Sequence, residues 1–532
     1  MKIASRGLAL LAGLTLLGTT AVACDVETPQ TGDEEDLTSL TARSRELKFE
    51  GVVYVSSLAS DSEITSAIDK QTRTAFGPLR TSNVGVNERE LKGVDPASWK
   101  KRTVNVIDTS KAADPGKQML EVRYTYVDDA VVPVSMSTKS SFSSAILRPN
   151  YQSEQDRILK ECTANDAEAH DFASSLWYVF EPSLSSCKTA IKKEADAVTA
   201  ARAKLKSATD VALVEANRLY LPVTMQLGAD KTNTGKSWPE YDKLLGGAGV
   251  KPGKLVISLL NGLIDHGEGA PMDLYKDSGY SEWLDSVEQV LDARPTFALL
   301  EVEGGVDITS YTLKSGKKVS NLGFKDFIAF NKGTGFPTGL STADKTDLQK
   351  QIADRVADRW ITLEMPTTVK IGSAKAKPLG IQLKLFFGHS DVITPYKTAI
   401  KGSDVFIYNG HSFIGNGPLD PKNFTSADFP STYQLLFIDS CVSYNYYESD
   451  FFPMKPGGSK TLDMITNGVE APSFESGFAL GQFIATLIDG KQESYLDLLH
   501  SAEATGEAMR VVDGELDNKY KPTSKKITVT AQ

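Results

Sequence analysis

The chain has 532 residues, 41% of them hydrophobic and 24% charged, with a formal net charge of −10. That apolar share is ordinary for a folded protein and excludes a disorder-dominated one, and the length suits two or three domains. A mildly acidic chain with no dense Lys/Arg stripe does not fit a nucleic-acid partner.

At the N-terminus, "MKIASR" supplies Lys2 and Arg6, and "GLALLAGLTLLG" is an apolar run too short to span a bilayer as a stable helix. "AVAC" closes it, so residues 1–23 read as a secretory signal with Ala21-Val22-Ala23 as the cleavage site. Ala-Val-Ala-Cys also resembles a bacterial lipobox, with Ala21 where Leu is preferred. That resemblance implies lipidation of Cys24 and a protein held at the cell envelope by its acyl chains. Cleavage would leave 532 − 23 = 509 residues and, by removing Lys2 and Arg6, move the net charge from −10 to −12. No second long apolar segment follows, so the lipid is the expected membrane attachment. "DVETPQTGDEEDLTSLTARSRE", up to Glu46, is acidic and poor in large apolar residues, and reads as a flexible tether over 24–46.

Folded structure is expected from "KFEGVVYVSSL", a strand, followed by a helix over "SDSEITSAIDKQTRTAF". Ser60 and Glu63 have the spacing of a capping box. "QMLEVRYTYVDDAVVPV" reads as a further strand with a hairpin at Asp128-Asp129, giving a small α+β domain over 47–150. Residues 151–215 read as helical, as in "AIKKEADAVTAARAKLKSA". Cys162 and Cys187 lie 25 residues apart in this region and are natural disulfide partners in an oxidising compartment, worth about 3 kcal/mol by loop entropy. With Cys24 assigned to the lipid, Cys441 is left as a lone thiol, unusual in an exported chain.

From 216 to 532 the pattern changes. "LYLPVTMQL", "KLVISLLNG", "TFALLEVEG", "IQLKLFFGHS", "DVFIYNGHS" and "YQLLFIDSC" are short apolar runs bounded by turn residues. Helical segments separate several of them. The clearest is "STADKTDLQKQIADRVADRW", with Leu348, Ile352 and Val356 on one face behind a Ser341 start. Near-continuous apolar strands alternating with helices predict an α/β domain with a mostly parallel sheet covered on both faces.

In such a sheet the ligand crevice lies beyond the carboxyl ends of the strands. His411 and Cys441 each fall just past the last apolar residues of a strand, Tyr408 and Ile438. If the two strands are neighbours, an imidazole and a thiol share one crevice, the requirement of thiol catalysis. "VFIYNGHSFIG" and "LLFIDSCVS" resemble the two signature blocks of the caspase, gingipain and legumain group of cysteine peptidases. The spacing, 441 − 411 = 30, suits the gingipain- and legumain-like branches. The resemblance is firm over only about forty residues, Ser403 to Tyr444, and weaker over the sheet from about 218 to 532.

It implies a caspase-like fold for the C-terminal half and a peptide or protein substrate. Cys441 would be the nucleophile, His411 the proton-transfer group, and the backbone N–H groups of Cys441 and Ser412 the oxyanion site. Ser412 departs from the family's Gly, and a side chain there could crowd that site. The rival from another class is a catalytically silent lipoprotein of the same fold, serving in binding or scaffolding. A solute-binding lipoprotein would require two similar α/β lobes, which the unequal halves disfavour. Taken singly, a Cys or His at a strand end is usually a structural residue.

Other signals are weaker. His389 in "LFFGHSD" nearly copies the His411 block one strand earlier, and Asp265 and His266 in "IDHGEGAPMD" could border the same crevice. Together with Glu268 they match no metal motif, and with five histidines and no Cys-x-x-Cys neither metal nor cofactor is expected. "GADKTNTGKS" has Asp230 where a phosphate loop needs its first Gly and reads as a surface loop. No G-x-S-x-G elbow is present to make Ser440 a serine nucleophile.

Overall fold

The computed structural model describes residues 37–87, 91, 93–265, 273–471, 476–503 and 508–531. It is a mixed α/β protein in which two sheets, each with a mixture of strand directions, are flanked by helices. The N-terminal half carries β1 (Thr38–Ser39), β2 (Ala42–Ser56), β3 (Gly85–Val86), β4 (Lys100–Ile107), β5 (Lys117–Pro133), β6 (Ser141–Leu147), β7 (Asp210–Ala212) and β8 (Tyr220–Asp230). All but β1 build a 7-stranded sheet in the order β6-β8-β2-β5-β4-β7, with β3 on β5.

Three expectations are corrected here. The strand foreseen from 47 begins at Ala42, and Leu37, Thr38, Ser39, Ala42, Ser44 and Arg45 are buried, so the C-terminal part of the expected tether is folded chain. Arg45 is the physical reason: its guanidinium donates to the carbonyls of Gly228, Leu227, Met136, Ser137 and Lys139, stitching β2 to β8 at a bulge. No hairpin forms at Asp128-Asp129. β5 runs unbroken past both, and Tyr126 Oη (2.5 Å) and the Asp129 N–H (2.9 Å) donate to the buried Asp128 carboxylate. "LYLPVTMQL" is β8, antiparallel between β6 and β2, and so belongs to the smaller sheet.

The second half contributes β9 (Lys254–Gly262), β10 (Ala298–Val302), β11 (Tyr311–Thr312), β12 (Lys318–Val319), β13 (Ile361–Ile371), β14 (Lys377–Gly388), β15 (Val405–Asn409), β16 (Gln434–Asp439), β17 (Leu462–Asn467), β18 (Arg510–Asp513) and β19 (Ile527–Ala531). The 10-stranded sheet runs β1-β18-β17-β16-β15-β9-β14-β13-β10, with β19 on β13, and β11 pairs β12 apart from it. β14, β9, β15, β16 and β17 are mutually parallel, and antiparallel strands flank them on both sides. Continuous apolar runs such as "KLVISLLNG" form the centre because both faces are covered.

One face packs Ile257, Leu259, Ile407, Phe437 and Ile465 against helices that include Ser278–Ala293 and Ser476–Leu487. The other packs Leu260, Tyr408, Leu436 and Ile438 into the same core as Phe49, Phe76 and Tyr126 of the N-terminal half. Each fully buried Leu, Ile or Phe contributes about 1.5–3 kcal/mol, so the two halves share one folding core. The Ser60/Glu63 capping box is present on Asp61–Thr72, and Ser341 caps Thr342–Val356 with Asp344 as its partner. Cys162 and Cys187 are disulfide-bonded with Cα atoms 4.7 Å apart, joining Gln155–Cys162 to Ser185–Arg202. Among the described residues no helix is long and apolar enough to cross a membrane.

Candidate functional site

β15 and β16 are parallel neighbours in register, Asn409 opposite Asp439, so His411 and Cys441 leave the same end of adjacent strands. Around them runs a polar row that sequence reasoning missed. Asn261, Asn409, Asp439, Asn467 and Arg510 lie at or next to the ends of five neighbouring strands, and all are buried. Arg510 bonds both oxygens of Asp439 at 3.2 and 3.3 Å, and Asn467 Nδ2 donates to Asp439 Oδ1 at 2.6 Å. Asn409 Nδ2 donates to Glu282 on the covering helix. Burial, and then the negative Asp439, Asp285 and Asp277, push the Glu282 carboxyl up to about 8 against that hydrogen bond. The Asn261 amide and Glu282 Oε1 have no hydrogen-bond partner among the described residues. A signal was available: an Asn-Gly pair marks the end of β9, β15 and β17, as Asn261-Gly262, Asn409-Gly410 and Asn467-Gly468.

His411 is exposed, and its ring Nε2 lies 2.8 Å from the carbonyl oxygen of Ile264. A carbonyl only accepts, so Nε2 carries a proton and Nδ1 is left as the ring nitrogen that could serve as a base. The accepting carbonyl is itself fixed. The buried Asp277 takes the Ile264 and Gly279 N–H groups on Oδ1, at 3.0 and 2.8 Å, and the Asp265 N–H on Oδ2 at 3.0 Å. Asp277 thus caps Ser278–Ala293 and clamps the loop against which His411 rests. Beyond His411, Ser412 is buried, and Phe413 and Ile414 both adopt left-handed φ, 50° and 54°. Such conformations cost of order 1–3 kcal/mol each and recur where a backbone serves a ligand.

Cys441 is half-buried between the buried Ser440 and Val442, whose φ of 52° is again left-handed. Helix Ser443–Met454 starts immediately after, and the turn is pinned because Ser443 Oγ donates to the Ile438 carbonyl (2.7 Å) and accepts the Asn467 N–H (2.8 Å). Burial pushes the thiol up to about 11. The Ala471 N–H bonded to the sulfur and the Arg80 cation oppose that rise, and Glu470 and Asp439 add to it. Among the described residues the backbone N–H groups of Cys441 and Ser412 have no acceptor, and no hydrogen bond joins the thiol to the His411 ring.

The remaining candidates divide: Asp265 adjoins the loop that meets His411, and His389 lies two strands away from β15. His389 follows β14, which is separated from β16 by β9 and β15, and its ring Nδ1 and backbone N–H both meet the Asp358 carboxylate at 2.9 Å. Asp265 sits beside Ile264, and its Oδ2 accepts the Ser278 N–H at 2.7 Å. His266, Glu268 and Cys24 lie outside the described residues. Among the described residues no cluster of His, Cys, Asp and Glu could hold a metal ion. Compared with protein-family models, curated proteins and solved structures, the chain matches none.

Proposed function

We propose that the chain is a cell-envelope cysteine endopeptidase with a caspase-like catalytic domain, in which Cys441 and His411 act as a dyad. The observation that carries this reading is the delivery of both side chains to one end of the adjacent parallel strands β15 and β16. In the proposed reaction the Cys441 thiol gives its proton to the free Nδ1 of His411 as its sulfur attacks the scissile carbonyl. The Cys441 and Ser412 N–H groups receive the oxyanion; a donor survives although Ser412 replaces Gly. The proton then passes to the departing amine, and water hydrolyses the thioester to return the thiol.

A silent, binding or scaffolding protein of the same fold is the second reading, and the elevated thiol pKa favours it. At pH 7 a group titrating near 11 holds few thiolates until substrate or His411 draws the proton away. We further propose export and lipid anchoring through Cys24, for which Cys24→Ala should release the protein from membranes. The test of the main reading is cleavage of a peptide library by the full chain with Cys441→Ala as control. Cleavage lost in the variant supports it, and cleavage that survives rejects it.

A further inference from the structure

Arg80 ends the short helix Phe76–Arg80 of the N-terminal half, yet its side chain reaches the large sheet. Its Nη1 lies 2.5 Å from Glu470 Oε1, and its guanidinium sits 4.4 Å above the Tyr178 ring. On the same helix, Phe76 stacks on Tyr446, one turn into the helix that follows Cys441, with ring centroids 6.1 Å apart. Glu470 belongs to the short segment leaving β17. In that segment the Val469 carbonyl accepts the Val442 N–H at 2.9 Å, and the Ala471 N–H donates to the Cys441 sulfur. Three consecutive residues thus hold the cysteine turn on one side and an arginine from the other half of the protein on the other.

We propose that the N-terminal half is a standing part of the thiol centre, with Arg80 as a positioning residue that acts through Glu470 and the 469–471 segment on Cys441. This rests on reading Cys441 as the reactive thiol, but it needs no peptide cleavage to be tested. The charged and titratable groups acting on Cys441 come from several elements: Asp439 from its own strand, Glu470 from the β17 exit and Arg80 from the N-terminal helix. The phenols of Tyr408 and Tyr446 are also coupled to it. The two carboxylates disfavour the thiolate and the guanidinium favours it. A domain seated in this way is a working part of the centre, and a pro-segment removed to activate the chain would take Arg80 with it.

The experiment is the rate of iodoacetamide alkylation of Cys441 against pH in the full chain, with the Cys441 Cβ resonance giving the ionisation midpoint if alkylation is slow. Arg80→Gln should slow alkylation at fixed pH by about three- to tenfold, and Glu470→Gln should speed it by a similar factor. Arg80→Lys, which keeps the charge, should stay near the native rate. Opposed shifts carry the proposal. A purely structural role for Arg80 would move both neutral variants the same way, and that result, or no movement in either, overturns it. Opposed shifts in a chain that cleaves no peptide would leave the coupling standing and remove the peptidase reading instead.

Discussion

Two stretches of this protein are near copies, "LFFGHSD" at the end of β14 and "IYNGHSF" at the end of β15, and they have different fates on one sheet. His389 is tied to the Asp358 carboxylate by its ring and its backbone, whereas His411 rests on a carbonyl clamped by Asp277 and shares a strand end with Cys441. The preceding glycines differ as well. A Cβ on Gly388 would meet Asp358 Oδ1, the tip of a partly exposed side chain, at 2.1 Å. On Gly410, at φ +156°, it would meet the fully buried Tyr408 Oη at 2.6 Å, and that hydroxyl donates to the His411 carbonyl at 2.9 Å. An identical Gly-His-Ser tripeptide acquires its surroundings from the neighbouring strand, not from its own letters.

That contrast can be broken most decisively by activity. Cys441→Ala and His411→Ala should each cut peptide cleavage by about a thousandfold or more, as removal of a nucleophile or its proton acceptor does, while His389→Ala should change it less than about twofold. Equal losses in the two histidine variants would erase the distinction. Next in size, Gly410→Ala should destabilise the fold by roughly 1–3 kcal/mol in urea unfolding, since both φ and the buried Tyr408 resist a Cβ. Gly388→Ala should cost less, because the Asp358 carboxylate can swing aside.

The pH dependence of stability follows from Glu282, buried and bonded by Asn409 at the end of β15. Its folded pKa, about 8, is raised above the ordinary carboxylate value of 4.5, so the unfolded chain releases this proton first and stability falls as pH rises from about 4.5 to 8. The buried Asp463 and Asp513, both pushed up to about 7 by burial, act in the same direction. Lys455, lowered to about 7 by burial, acts oppositely above pH 7. Glu282→Gln should therefore flatten the decline in Tm between pH 5 and 8, and an unchanged slope would contradict the assignment. The smallest effect belongs to the His389–Asp358 pair. Both partners are about half exposed, so Asp358→Asn should change stability by less than about 1 kcal/mol.

Much of this architecture was legible from local pattern. Apolar runs located the central strands, the Ser60 and Ser341 caps located two helix starts, and Cys162 and Cys187 stood close enough in sequence to pair. What escaped depends on distant partners. Residues 37–46 look like solvated linker until Arg45 finds five carbonyls and β1 finds β18. β8 has the composition of a sheet-centre strand, and only its pairing with β6 and β2 assigns it to the smaller sheet. At the candidate site His411 and Cys441 were visible as residues following apolar strands, but the Asp277 clamp, the Glu282–Asn409 contact and the reach of Arg80 join residues 127 to 390 positions apart or cross loops, which no local motif encodes.

The proposed nucleophile is tested most directly by intact-mass spectrometry of the full chain quenched in acid during turnover of a mixture of activated N-acyl amino-acid esters. The account predicts an acyl adduct that maps to Cys441, disappears in His411→Ala and persists in His389→Ala. An adduct on another residue, or none on the native chain while the esters are consumed, would contradict it.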